Sequence, residues 1–272
     1  MEAGAQPESV RHVRSADGSS IGFEVLGSGP PLLLVHTMAI DRTQFAPLKD
    51  LLARDFTLYL VDRRGYGLSA DVPDDGYSLE REAEDIAALV DAIGEPPLAW
   101  GHSYGGVCVL EAGGRGILFK AILADDLAMG GPSPPVPREL TDGMARAIEE
   151  GNRDAALELF LRTIVGLNDE QIEMQSGTDF WKTRAATIHL FVRDAAQANT
   201  FRYDPERLAN ISCPVRFVVG EETPEVMLGS TRAAHEAMPG SEWTETPGRL
   251  FTTMYSDPET AARQVKDWLR DG

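Results

Sequence analysis

The chain is short of several things, and each shortage removes a class of protein. Only two cysteines, Cys108 and Cys213, stand among 272 residues. That excludes a disulfide framework, though not a single bridge, and it suits a reducing compartment. Basic residues number 25 against 43 acidic ones, for a formal charge of −18. Nucleic acids and anionic membranes need a positive footprint, so neither is an expected partner. No apolar run approaches the roughly 20 residues of a membrane-spanning helix. The polar stretch from Met1 to Glu8 does not read as a secretory leader. A cytoplasmic location is therefore expected. The five histidines and two cysteines form no cluster at metal-ligand spacing. Neither a metal nor another cofactor is expected, and no internal repeat is visible.

What is present is an alternation of strand and helix patterns. Val10–Arg14 and Ile21–Leu26 read as short strands about a turn at Asp17-Gly18, behind a loose tail over residues 1–9. Leu32–Val35 is a continuous apolar run, as in a strand buried on both faces. A helix over 43–53 and a strand Phe56–Val61 follow. Leu79, Ala83, Ile86, Val90 and Ile93 form one apolar stripe, predicting a helix over 79–93 that Gly94 caps. Leu98–Trp100 and Ala121–Ala124 read as strands around a helix over 104–113. Val215–Val219 and Glu242–Thr246 are the last two strands, separated by a helix Ser230–Met238. A capping box at Ser256 and Glu259 opens the final helix.

Between these two halves the pattern changes. Gly130-Gly131-Pro132-Ser133-Pro134-Pro135 marks a boundary, and residues about 138–200 carry helical patterns only. The candidates are Arg138–Glu150, Arg153–Ile164, Asp169–Gln175 and Phe180–Ala196. Alternating strands and helices imply a mostly parallel sheet covered on both faces. The reading is a core of residues 1–126 and 201–272 with a helical lid, 127–200, over the carboxyl edge of the sheet. Ligands of open α/β sheets bind at that edge.

Gly101-His102-Ser103-Tyr104-Gly105-Gly106 joins the strand Leu98–Trp100 to the next helix. It is a Gly-x-Ser-x-Gly turn in strand–turn–helix context. The turn is so sharp that side chains two before and two after the serine would clash, and both positions are glycine. Ser103 would then stand at a helix N-terminus, where dipole and free N–H groups stabilise an oxyanion.

On this motif the chain resembles the α/β-hydrolase fold superfamily. The likeness runs from Val10 to the final helix. Its other matching pieces are Gly27-Ser28-Gly29-Pro30-Pro31 before Leu32–Val35, His36 after it, Asp62-Arg63-Arg64-Gly65-Tyr66-Gly67-Leu68-Ser69, and Cys213-Pro214-Val215. The resemblance implies an eight-stranded, mostly parallel sheet. It also implies a nucleophile at Ser103, an acid after the strand Val215–Val219, and a histidine before the last helix.

The acid position is best matched by Glu222, with Glu221 second. The histidine position is not matched. Aligning Pro247-Gly248 and Met254 puts Phe251 there, and no histidine follows His235. Phenylalanine cannot deprotonate a serine, and general-base help is worth roughly 10²–10⁴-fold. The oxyanion loop also departs, reading His36-Thr37-Met38 where the superfamily usually has His-Gly. A β-branched Thr37 makes unusual backbone angles costly there. The N–H groups of Met38 and Tyr104 remain as oxyanion donors.

The expected pocket lining is His36, Thr37, Met38, Tyr104, Met129, Phe160, Phe180, Trp181, His189 and Phe251, with one of Asp125 and Asp126, taken as Asp125. The apolar members could equally form lid core. Three functions fit: a non-hydrolytic enzyme, a serine esterase or amidase with a displaced base, or a catalytically dead binding protein. The first is preferred, as isomerisation or epimerisation beside a carbonyl of a bulky, largely apolar natural product or modified peptide, in secondary metabolism. In kind, though not by motif, the chain resembles the bottromycin-type peptide epimerases.

Overall fold

The computed structural model describes residues 6–69, 76–132 and 136–270, with the side chains of 6–8, 251, 252 and 270 left aside. Eight strands form one sheet: β1 Gln6–Arg14, β2 Ser20–Gly27, β3 Pro31–Val35, β4 Thr57–Val61, β5 Leu98–His102, β6 Ala121–Asp125, β7 Val215–Gly220 and β8 Glu242–Thr246. Their order is β1-β2-β4-β3-β5-β6-β7-β8. β1 and β2 pair antiparallel, as do β2 and β4, and every later pairing is parallel. The expected eight-stranded, mostly parallel sheet is present.

Its inner strands are apolar because both faces are covered. Leu33 and Val35 pack with one core cluster and Leu32 and Leu34 with the other, as the two-residue period of a strand requires. Twelve α-helices lie among the described residues: α1 Lys49–Leu52, α2 Leu79–Ile93, α3 Tyr104–Gly114, α4 Arg138–Glu149, α5 Arg153–Phe160, continued by a π-helical turn Leu161–Val165, α6 Asp169–Gln175, α7 Asp179–Thr187, α8 His189–Thr200, α9 Pro205–Leu208, α10 Glu225–Glu236, α11 Leu250–Ser256 and α12 Pro258–Arg270. α2 has the expected bounds. Ser78 accepts from Arg81 N–H at its start, and Gly94 closes it at φ 84°. None of these helices is long and apolar enough to cross a membrane.

Several elements differ from expectation. The tail expected over 1–9 contributes residues 6–9 to β1; residues 1–5 lie outside the described residues, as do 133–135 of the boundary. The helix expected over 43–53 is a 3₁₀ turn, Arg42–Phe45, followed by the short α1. Pro47 lies between them and has no N–H to continue a helix. The helix expected over 180–196 is two, α7 and α8, meeting at Ile188. α11 is an addition, occupying what read as loop.

The helices α4–α8 lie over the carboxyl edge and share a core cluster with the sheet through Met129, Met144, Phe160 and Phe191. Ionic contacts hold this layer down. Asp194 on α8 is fully buried, and its Oδ2 takes Arg63 Nη2 at 3.1 Å and the Tyr66 hydroxyl at 2.8 Å. Arg63 also donates to Glu82 on α2 at 2.7 Å.

Candidate active site

The turn from β5 into α3 is built as its glycines require. Ser103 has φ 56° and ψ −116°, outside the regions L-residues prefer. A Cβ on Gly101 would lie 2.5 Å from Gly106 Cα, and one on Gly105 would lie 2.2 Å from Val35 O. Ser103 is 3% exposed and its N–H donates to Asp125 O at 2.7 Å. Tyr104 is the first residue of α3, where no backbone acceptor precedes its N–H within the helix.

The facing loop follows β3. His36 is fully buried. Its Nε2 accepts from Arg63 N–H at 3.0 Å and its Nδ1 donates to Thr37 O at 2.7 Å. Burial, with the nearby Arg63 charge, lowers its pKa to about 3. It is a neutral strut rather than a base. Thr37 N–H is held by Gln44 Oε1 at 2.9 Å. The backbone strain expected at Thr37 falls instead on Ala39, at φ 57°. Met38, the residue before that bend, is 7% exposed.

The expected acid loop is arranged differently. Glu221 and Glu222 are exposed, and Thr223 is the residue of that loop that turns inward. Its hydroxyl donates to Asp126 Oδ1 at 2.6 Å and accepts Gly220 N–H at 2.8 Å. Asp126 follows β6 directly, has φ 46° and is fully buried. Its Oδ2 takes Arg249 Nε at 2.8 Å. Arg249 stands in the loop after β8, immediately before α11. Phe251 lies in the first turn of α11, and its side chain is outside the described residues. The contact between that loop and a buried acid is therefore made by Arg249.

Sequence reasoning had not singled out Arg249, Thr223 or the choice of Asp126 over Asp125. The usable signal was Asp126 itself, an acid directly after a buried strand. Asp125 faces the other way, with Oδ2 2.8 Å from His102 Nδ1. Burial pushes the Asp125 carboxyl up and the His102 contact opposes it.

The remaining histidines are engaged elsewhere. His12 Nε2 lies 3.2 Å from Leu68 O, and His235 Nδ1 lies 2.7 Å from the Ser241 hydroxyl. His189 lines a polar cleft of about 700 Å³ with Asp41, Gly65, Ser69, Arg153 and Thr183.

The expected apolar lining is largely core. Met129, Phe160 and Trp181 are at most 6% exposed, and the Phe160 ring meets Phe191 edge-on at 4.8 Å. Trp181 Nε1 donates to Asp154 at 2.7 Å. Tyr104 is fully buried, its hydroxyl accepts from Tyr77 at 2.8 Å, and Arg63 lies 4.2 Å from its ring centre. Phe180 sits 5.4 Å from the Arg184 guanidinium. Cys108 is buried beside this cluster, and burial raises its thiol well above the usual range. Among the described residues no group of histidine, cysteine and carboxylate side chains could hold a metal.

This geometry has relatives. Residues 32–260 match the profile of the alpha/beta hydrolase family. The chain belongs to that family. It is 31% identical over 256 residues to a 2-(acetamidomethylene)succinate hydrolase of Mesorhizobium japonicum, covering 89% of each protein. It is 27% identical to a non-heme haloperoxidase of Rhodococcus erythropolis, covering 80% of this chain and 84% of that one. A crystal structure of an alpha/beta hydrolase from Sphaerobacter thermophilus aligns with a TM-score of 0.72 at 28% identity, over 86% of this chain and 91% of that one. The chain is an enzyme of the alpha/beta hydrolase superfamily.

Proposed function

We propose that this member of the alpha/beta hydrolase family polarises a substrate carbonyl between Met38 N–H and Tyr104 N–H, and turns it over without a serine–histidine acyl transfer. The observation that carries the proposal is the Arg249–Asp126 contact. An imidazole has an acceptor nitrogen for the serine proton; a guanidinium has none. No histidine contact to the Ser103 hydroxyl occurs among the described residues, and His36 is held neutral in backbone contacts.

Two N–H groups directed at one oxygen lower the barrier wherever charge develops on that oxygen. The proposed reaction is isomerisation or epimerisation at the carbon beside the carbonyl. The C–H proton passes to a basic group of the substrate, the electron pair moves to the carbonyl oxygen, and the reverse transfer delivers the proton to the other face. The base is assigned to the substrate because Asp125 and Asp126 are committed to His102 and Arg249. A modified peptide remains the leading substrate within this reading.

The test uses the purified protein, a fluorophosphonate serine probe and candidate carbonyl substrates in deuterated water. The expected result is deuterium uptake beside the carbonyl with no covalent label on Ser103. Stoichiometric labelling of Ser103 with release of the substrate's acyl group would overturn it. The second reading is ester or amide hydrolysis with a displaced base. It is favoured by the retained strained turn at Ser103 and by the hydrolase names of the relatives.

A further inference from the structure

Largely buried arginines in this chain come with acids. Arg63 pairs with Glu82 and Asp194, Arg64 with Asp85, Arg193 with Asp194, and Arg249 with Asp126. This is what burial of a charge demands, since an unpaired buried ion costs several kcal/mol. Arg184, on the lid helix α7, breaks the pattern.

Its Nε donates to Ala39 O at 3.2 Å. Its guanidinium carbon lies 5.5 Å from the Phe160 ring centre and 5.4 Å from that of Phe180. It forms no ion pair among the described residues, in a chain with 18 more acidic than basic side chains. Burial pulls its pKa down to about 10, with only the Tyr255 phenol opposing. It therefore keeps its charge at neutral pH. A tie between lid and loop would need one neutral donor to Ala39 O. The rest of the guanidinium, flat and lying over two aromatic rings, suits a planar anion held by paired N–H groups. Ala39 directly follows Met38, so this contact ties the cation to the loop after β3.

We propose that Arg184 is a substrate-binding residue that takes a carboxylate, so that the substrate carries a carboxylate a few bonds from the carbonyl seated at Met38 and Tyr104. The assignment rests on the carbonyl-binding reading above for its location. It does not depend on which reaction follows.

The probe pair is levulinate and methyl levulinate, a keto acid and its neutral ester, with binding measured calorimetrically. Wild type should bind the acid about tenfold or more tighter than the ester, the effect of one charge-assisted contact. Arg184→Gln keeps a donor for Ala39 O and should bring the acid down to the affinity of the ester, at an unchanged melting temperature. Arg184→Lys should keep part of the preference. If Gln unfolds the protein, the Lys variant and the wild-type acid-to-ester ratio still decide. Equal affinity for acid and ester, no binding of either, or a preference that survives Arg184→Gln would each overturn the proposal. Competition by inorganic phosphate as strong as by levulinate would overturn the carboxylate assignment. Loss of deuterium exchange with the acid preference intact would remove the proposed reaction and leave this assignment standing.

Discussion

Arg249 Nε lies 2.8 Å from Asp126 Oδ2, joining the loop after β8 to the residue after β6. The pair crosses the carboxyl edge of the sheet, and Thr223 from the loop after β7 completes it. Asp126 is fully buried, so removing its cation strands a charge away from water. Arg249→Ala is expected to cost about 3 kcal/mol in urea denaturation. Asp126→Asn on that background should recover much of the loss, because the stranded charge goes with it. Additive losses from the two substitutions would mean that they do not interact.

The same contact makes a constructive test. If Arg249 holds the place of a base, an imidazole there would lie between Asp126 and Ser103. Arg249→His should then raise p-nitrophenyl acetate hydrolysis by about 10²-fold, the lower end of general-base assistance. Ser103→Ala added to it should abolish the gain. Unchanged hydrolysis would show that a histidine at this position does not reach Ser103.

Ser103 occupies a backbone conformation suited to glycine, at φ 56° and ψ −116°. Such strain costs of order 1–3 kcal/mol and persists where the surrounding structure enforces it. Ser103→Ala keeps the strain, whereas Ser103→Gly relieves it against a smaller entropic loss. The Gly variant is expected to be more stable than the Ala variant by about 1 kcal/mol. Equal stability in parallel thermal melts would mean that the strain in the turn is no larger than the entropic cost of glycine.

Asp194 is the carboxylate through which the lid grips the core, between Arg63 and Arg193. Those two cations hold its carboxyl below the usual range against the effect of burial. Asp194→Asn should cost about 3 kcal/mol and speed amide exchange in α8 ahead of the sheet. Exchange rising uniformly across the molecule would mean that the lid and core open together.

These sites differ in how far the sequence revealed them. The turn at Ser103 was legible because its steric demand falls on backbone neighbours two residues away, and Gly101 and Gly105 meet it. The inner strands were legible because burial on both faces leaves continuous apolar runs such as Leu32–Val35. Arg249 was not legible. Which side chain of a loop turns inward depends on where α11 begins, and an alignment on Pro247-Gly248 points two residues further, to Phe251. The break at Ile188 was hidden because apolar residues continue through it in helical spacing. Arg184 could not be distinguished from a surface arginine, since the missing acid partner is a property of the packed lid.

His36 gives the molecule a pH dependence of known sign. An unfolded histidine titrates near 6.5, whereas burial lowers His36 to about 3 in the fold. Between those values the unfolded chain binds a proton that the folded chain refuses, so stability falls as pH drops through this window. Asp62 and Asp85 run the opposite way. Burial raises each to about 6, so they take protons in the fold first and lose stability as pH rises from about 4 to 6. Comparing wild type with His36→Gln cancels these shared terms. The stability advantage of wild type should shrink by about 2 kcal/mol between pH 7 and pH 5, at about 1.4 kcal/mol per unit below 6.5. Urea titrations of both proteins at the two pH values measure it. A constant advantage would mean that His36 takes up its proton in the fold as readily as in the unfolded chain.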